Sequence, residues 1–96
     1  MQFARELRDR VRSGEITCTV RIWQSPRVTA GRAYALSPGY VVVDSIMEIS
    51  LADVTADLAR RSGFRGVVDL LKTAKHGSGE RVFYITFHYV DRGPPA

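Results

Sequence analysis

The sequence is poor in several features that would fix a function at once. It contains a single cysteine, Cys18, so no disulfide can form within the chain. No apolar run approaches the length of about 20 residues that a membrane-spanning helix needs. The N-terminus lacks the basic-then-apolar order of a signal peptide. We therefore expect a cytoplasmic protein without a membrane partner, in which Cys18 is buried as a small apolar side chain.

The sequence also shows no pattern that is typical of a metal site or a cofactor site. The cysteine and the two histidines, His76 and His88, have no spacing typical of a metal site. The segment Gly77-Ser78-Gly79 does not follow a predicted strand or open a helix, as a phosphate-binding glycine loop would. We expect no metal ion and no cofactor.

Length and charge narrow the class of protein. A chain of 96 residues has room for one hydrophobic core, so we interpret residues 1–96 as a single domain with a loose C-terminal tail over 91–96. The net charge is +4, which fits a polyanionic partner such as RNA, although many small proteins are equally basic. The oligomeric state is left open.

The most organised stretch is residues 16–23, where polar and apolar side chains alternate strictly. One side carries Ile16, Cys18, Val20 and Ile22, and the other carries Thr17, Thr19, Arg21 and Trp23. A period of two predicts a half-buried β-strand with its apolar side in a core. The other side aligns two hydroxyls, a guanidinium and an indole, groups that donate to phosphate or carbonyl oxygens and stack on flat rings.

The remaining pattern predicts helices and strands intermingled along the chain. Helices are expected over 2–12, 51–61 and 65–75, and strands over 33–36, 40–49 and 81–90. Asp44-Ser45 indicates either a bulge or a turn within 40–49. Because both sides of 81–90 are partly apolar, we expect that strand to be central. The fold class is α+β, a small, mostly antiparallel β-barrel with flanking helices.

The order of these segments resembles the ASCH family, the activating signal cointegrator homology domains with a PUA-like barrel. Gly14-Glu15-Ile16-Thr17-Cys18-Thr19-Val20-Arg21 is similar to the family signature G-x-K-T-x-T-x-R. Val28-Thr29-Ala30-Gly31 resembles its v-G-d turn, Arg61-Ser62-Gly63-Phe64 resembles its e-G-F segment, and Val82-Phe83-Tyr84-Ile85-Thr86-Phe87 matches its closing strand.

The resemblance implies a cleft between barrel and helices that is suited to RNA or to a modified nucleoside. On this basis we expect an RNA- or nucleotide-binding domain, with single-stranded or structured RNA as partner. The expected ligand-binding residues are Thr17, Thr19, Arg21, Trp23, Arg27, Arg32, Arg61 and Tyr84. Arg21 and the threonines would contact the ligand, Trp23 or Tyr84 would stack on a base, and the other arginines would form a basic rim.

Several of these residues have a plainer interpretation. Thr17 and Thr19 could be ordinary threonines on the solvent face of a strand. Arg21 could pair with Asp44 or Glu48 on a neighbouring strand. Trp23 could plug the barrel rather than stack on a base.

The resemblance also raises a catalytic alternative, since some ASCH proteins hydrolyse acetylcytidine with a Lys, a Thr and a Glu, and a related one cleaves RNA. The family Thr is Thr19 here, but the Lys position is Ile16 and the Glu position falls on Ser62 or Arg61. Neither Ser62 nor Arg61 can act as a general base near neutral pH.

We therefore favour a binding module over an enzyme. The alternative is an acetylcytidine amidohydrolase or ribonuclease with Thr19 as nucleophile and Glu15, Glu48 or Lys72 as a substitute base. A protein-interaction domain that has kept the fold is the third possibility.

Overall fold

The structure is a computed structural model that describes residues 1–75 and 77–92. Its elements in chain order are α1 (Arg5–Arg12), β1 (Cys18–Trp23), β2 (Ala33–Leu36), β3 (Gly39–Ile49), a 3-10 helix (Leu51–Asp53), α2 (Ala56–Arg61), α3 (Val67–Ala74) and β4 (Arg81–Val90). His76 and positions 93–96 of the predicted tail lie outside the described residues. The α+β class is confirmed, and most boundaries agree with the sequence prediction to within one or two residues.

The four strands form one antiparallel sheet in the order β1-β4-β3-β2. The central position predicted for β4 is confirmed, since it pairs with β1 on one side and with β3 on the other. The predicted barrel-like character is confirmed in its coarse form: the sheet curls into a half-barrel, with β1 and β2 at its opposite edges in the described residues. In the described residues, three α-helices and the 3-10 helix accompany this sheet.

The β-rich run over 40–49 forms one continuous strand rather than two. The pairing of β3 with β4 shifts register between Val43 and Ser45, which leaves Asp44 in a bulge. The Asp44 carboxylate lies 2.9 Å from Nδ1 of His88 on β4. Of the two alternatives that the sequence left open at Asp44-Ser45, the bulge is the one observed.

The single helix predicted over 51–61 is wrong, because the chain forms two short helices there. Ser50 and Asp53 make the expected capping box around the 3-10 helix, with the Ser50 amide donating to Asp53 Oδ2 at 2.9 Å. Val54 is then extended, and Thr55 caps α2 by accepting from the Leu58 amide at 3.1 Å. The Thr55 hydroxyl competes for the backbone donors that a continuous helix would use.

The two faces of the sheet bury different parts of the core. Cys18, Val20 and Ile22 pack with Leu58 on α2 and Leu70 on α3, so the burial predicted for Cys18 is confirmed. The opposite face carries two further clusters. One contains Trp23, Val28, Val43, Phe83 and Ile85. The other contains Phe3, Leu7, Val11, Ile16, Val41 and Phe87. Each large side chain that is fully buried stabilises the fold by about 1.5–3 kcal/mol.

Nowhere in the ranges 1–75 and 77–92 does a helix have the length and apolar character needed to cross a bilayer.

Candidate ligand-binding site

The polar row of β1 lies on the face of the sheet that turns away from α2 and α3. Thr19 pairs with Ile85 and Arg21 pairs with Phe83 across β1 and β4. Because alternate residues of a strand point to opposite faces, Thr19 and Arg21 project to the same side. Both are buried, with exposed fractions of 5% for Thr19 and 8% for Arg21. Neither is therefore an ordinary solvent-face residue.

The Arg21 guanidinium has neutral partners in the described residues. Its Nε–H donates to Thr19 Oγ1 at 3.1 Å, and Nη2 donates to the Gln2 carbonyl oxygen at 2.5 Å. Its Cζ lies 5.2 Å from the centroid of the Phe3 ring. The expected alternative partners are occupied elsewhere, since Asp44 bonds His88 and Glu48 forms an ion pair with Arg81 at 2.8 Å. Arg21 pairs with neither of them.

Burial without a carboxylate has an electrostatic consequence for Arg21. It lowers the pKa of the guanidinium from its ordinary value to about 10, because the charged form has lost solvent. A buried cation that lacks an anionic partner costs stability in the folded protein. An anionic group bound beside Arg21 would offset that cost.

Thr19 and Arg21 line a cavity of about 260 Å³, which we call the Thr19 cavity. Apolar walls come from α1 and the residues before it, including Phe3 and Leu7, and from Phe64 after α2. Besides Arg21, the polar lining consists of Gln2, Thr19 and Thr73. The cavity thus combines an apolar interior with a few hydroxyl and amide groups and one cation.

A smaller cavity of about 180 Å³, the Trp23 cavity, lies on the other side of Arg21. Arg21 and Gln2 line both cavities, and Trp23, Arg27 and Val28 complete much of the second. Trp23 is 3% exposed and packs on Phe83, with 6.0 Å between ring centroids. Its ring belongs to the core and is not free to stack on a base.

Three of the remaining predicted residues line a separate cavity of about 320 Å³, the Tyr84 cavity. Thr17, Arg61 and Tyr84 line it together with the acidic residues Glu15 and Asp44. Arg61 also forms an ion pair with Asp57 at 3.1 Å. Burial raises the pKa of Tyr84, and the neighbouring tyrosine raises the pKa of Arg61. With two carboxylates in its lining, the Tyr84 cavity suits an anion less well than the other two.

The eight predicted site residues therefore do not line a single cavity. The structure brings Thr19, Arg21, Trp23 and Arg27 together around two adjoining cavities, and it places Thr17, Arg61 and Tyr84 around a third. Arg32 is exposed and lines none of the three. The expected continuous basic rim is thus divided.

Of the residues that line the Thr19 cavity, sequence reasoning assigned only Thr19 and Arg21 to the site, and those it missed include Gln2, Phe64 and Thr73. Phe64 has a weak signal in the sequence, since Gly63 before it adopts a φ of +97° that ends α2 and turns the chain back toward the sheet. Gln2 and Thr73 have none. Thr73 reaches the cavity only because α3 docks along the outer edge of β1, where Ile22 forms a parallel bridge with Lys75.

Of the positions to which the resemblance assigns the catalytic Lys and Glu, Ile16 and Ser62 are packed into the core, whereas the alternative Arg61 is exposed. Ile16 and Ser62 are each 2% exposed, and the Ser62 hydroxyl donates to the Leu58 carbonyl oxygen at 2.9 Å. Ile16 and Ser62 thus supply packed side chains and neither an amine nor a carboxylate. The Thr19 hydroxyl, in turn, already accepts a hydrogen bond from Arg21.

None of the three substitute bases lines the Thr19 cavity. Glu15 forms an ion pair with Arg10, and Glu48 forms one with Arg81. Lys72 is exposed and lines a shallow surface depression beside Arg65. Within the part of the chain that the structure describes, no three His, Cys, Asp or Glu side chains converge as metal ligands.

No protein-family model matches this chain, and comparisons with curated proteins and with solved structures give no match either. The resemblance to ASCH domains therefore stays a proposal that is carried by the sequence pattern.

Proposed function

We propose that this chain is an ASCH-type, PUA-like domain that binds RNA or a nucleotide, with the Thr19 cavity as its binding site. The observation that carries the proposal is the Arg21 guanidinium, which is buried at the cavity wall with only neutral partners in the described residues. Nucleic acids supply the complementary chemistry, because their phosphates are anionic and their bases offer flat apolar faces.

The lining of the Thr19 cavity supports a nucleoside-sized ligand. Small-molecule pockets are mostly apolar with a few placed polar groups, and they typically measure about 300–1,000 Å³. At about 260 Å³ the Thr19 cavity lies just below that range, so it suits a small ligand. Phe3 and Phe64 offer aromatic surface for a base, while Thr19 and Thr73 offer hydroxyls for its polar edge. One nucleoside of an RNA, or a single nucleotide, matches this space.

The described residues favour binding over catalysis at this cavity. Its lining contains one cation, Arg21, and neutral side chains. A threonine hydroxyl without an adjacent base is a poor nucleophile. The hydrolase alternative therefore has no supporting contact at Thr19.

A titration with matched variants tests the proposal. The ligands are the four nucleoside 5′-monophosphates and a short single-stranded RNA of mixed sequence. Trp23 is the sole tryptophan and lines the Trp23 cavity, which adjoins the Thr19 cavity. Its fluorescence should therefore report binding. We expect RNA affinity to fall steeply as salt is raised.

The variants compare the two cavities. Arg21→Lys keeps a positive charge but loses the planar fork, and we expect it to weaken binding by roughly 5- to 150-fold. Arg61→Lys makes the same change at the Tyr84 cavity and should leave affinity unchanged. Thermal unfolding of both variants shows whether they fold. Absence of binding to every ligand, or an equal effect of the two variants, would contradict the proposal.

A further inference from the structure

Arg21 stands at the boundary of two adjoining cavities that differ in chemistry. The Thr19 cavity is largely apolar, whereas the Trp23 cavity has two guanidinium groups in its lining, those of Arg21 and Arg27. Gln2 and Arg21 belong to both linings. A ligand with an apolar part on one side and an anionic part on the other could therefore contact Arg21 from both cavities at once.

The positive charge of the Trp23 cavity is not balanced from nearby. Its lining contains no carboxylate, and neither Arg21 nor Arg27 takes part in an ion pair among the described residues. Arg10 and Arg12 of α1 differ in this respect, since Arg10 bonds Glu15 and Arg12 bonds Asp9. Two guanidiniums around a space of about 180 Å³ form a receptor for a compact anion.

Arg27 is held in place although its side chain is on the surface. Its Cζ lies 5.9 Å from the Trp23 ring, a distance at which a cation is attracted to an aromatic face. The next residue, Val28, is buried and anchors the loop between β1 and β2 in the core. A guanidinium held near an aromatic ring in this way can still donate its N–H groups to a ligand.

We propose, as an extension of the proposed function, that the Trp23 cavity is a phosphate subsite and that the ligand is a nucleoside monophosphate spanning both cavities. The nucleoside lies in the Thr19 cavity, and the phosphate lies between Arg21 and Arg27. A phosphomonoester carries about −1.5 to −2 at neutral pH, so it matches two arginines better than a singly charged diester does. The source is either a free nucleotide or the phosphorylated end of an RNA.

Calorimetric titration of nucleosides and their 5′-monophosphates tests the subsite. We expect each monophosphate that binds to do so at least about tenfold more tightly than its nucleoside, since charge-assisted bonds to arginine are strong. Arg27→Gln should remove most of the gain in affinity that the phosphate gives, with Arg21 retaining the rest, and should leave nucleoside affinity within about twofold. Arg32→Gln is the matched control, because Arg32 is exposed and lines neither cavity.

Two further binding measurements complete the test of the phosphate subsite. Inorganic phosphate should compete with the monophosphate but not with the nucleoside in the unmodified chain, a comparison that needs no variant. Short RNAs with and without a terminal phosphate distinguish an RNA end from a free nucleotide as the source.

The outcomes separate the two proposals. If nucleosides bind but the phosphate adds nothing, or if Arg27→Gln and Arg32→Gln act alike, the subsite is wrong and the proposed function stands. If neither nucleosides nor nucleotides nor RNA bind, both are wrong.

Discussion

The Nε–H of Arg21 donates to Oγ1 of Thr19 at 3.1 Å, across two side chains that are two residues apart on the same side of β1. This bond fixes the guanidinium at the wall shared by two cavities. It also leaves the Thr19 hydroxyl proton free to donate to a ligand, because that oxygen acts only as the acceptor toward Arg21. Thr19 is thus expected to position Arg21 as well as to contact the ligand.

Replacing Thr19 with valine tests that role, since valine keeps the branched shape and removes the oxygen. We expect Thr19→Val to lower the free energy of unfolding by about 1–3 kcal/mol, because a buried N–H of Arg21 loses its acceptor. Nucleotide affinity should fall with it. Urea unfolding and titration provide the two measurements. Thr19→Ser retains the hydroxyl and is the control, so equal losses in both variants would argue against the positioning role.

Arg21 itself is expected to cost stability. Burial lowers its pKa to about 10, so the folded state disfavours the charged guanidinium relative to the unfolded state. The penalty applies in full below about pH 10 and is relieved only as the pH rises above that value.

We therefore expect Arg21→Met to raise the free energy of unfolding by about 1–2 kcal/mol at neutral pH, part of the gain being offset by the lost hydrogen bonds. The same variant should lose ligand binding. Arg27→Met is the control, because Arg27 is exposed and should show no such gain. Denaturant unfolding at neutral pH measures both. A destabilised Arg21→Met would show that the arginine is there for packing and hydrogen bonding rather than for a ligand.

Gly79 lies where the chain after α3 passes close to the end of β1. A Cβ atom at this position would lie 2.0 Å from the Gln24 amide nitrogen and 2.1 Å from the Trp23 carbonyl carbon. Backbone atoms cannot move aside as the end of a side chain can. We expect Gly79→Ala to cost at least about 3 kcal/mol and to disturb the Trp23 cavity.

Gly66→Ala provides the comparison for this effect. Gly66 also has a φ available to any residue, and nothing lies within 4 Å of a Cβ placed there. The variant should change the free energy of unfolding by less than about 1 kcal/mol. Thermal and urea unfolding of the pair measure the difference. Similar values for Gly79→Ala and Gly66→Ala would mean that the close approach at Trp23 is easily relieved.

The ion pair between Arg81 and Glu48 predicts a pH dependence of stability. Arg81 contacts both carboxylate oxygens, at 2.8 and 3.2 Å, and its hydrogen bonds lower the pKa of Glu48. A lowered carboxylate pKa stabilises the folded state above the ordinary value of 4.5, and this contribution is lost as pH falls through the lowered value. Because both side chains are about half exposed, the effect is screened by solvent.

The midpoint of urea unfolding should therefore differ between the unmodified chain and Glu48→Gln near pH 6, and the difference should shrink below about pH 4. Glu80→Gln is the control, since Glu80 is exposed and belongs to none of the ion pairs among the described residues. A difference that persists unchanged to low pH would mean that charge is not its cause.

Much of the fold could be predicted because strand alternation is a local property. The pattern over residues 16–23 placed Thr19 and Arg21 on one side of β1, and the two-sided apolar pattern of 81–90 predicted a central strand. The split at Thr55 was not predicted, because the same residues also fit the helical apolar spacing over 51–61. Whether the sheet closes into a barrel depends on the pairing of distant edges, which no local pattern specifies.

The candidate site could be predicted only in part, for a similar reason. Arg21 and Thr19 are neighbours on one strand, so their association follows from sequence spacing. Gln2, Phe64 and Thr73 come to the same cavity from three separate elements, and their meeting depends on how α3 and the N-terminal segment dock. Thr17 precedes β1 and lies at another cavity, although the alternation alone grouped it with Thr19.

The open sheet has a consequence for the behaviour of the protein at high concentration. An unpaired strand edge is a template on which another chain can add a strand, which is how fibres grow. Here β2 is only four residues long, begins after Arg32 and is followed by Ser37-Pro38, and β1 is partly covered by the bridge between Ile22 and Lys75. Short, charged and proline-flanked edges resist such growth, so the sheet stays open without inviting polymerisation.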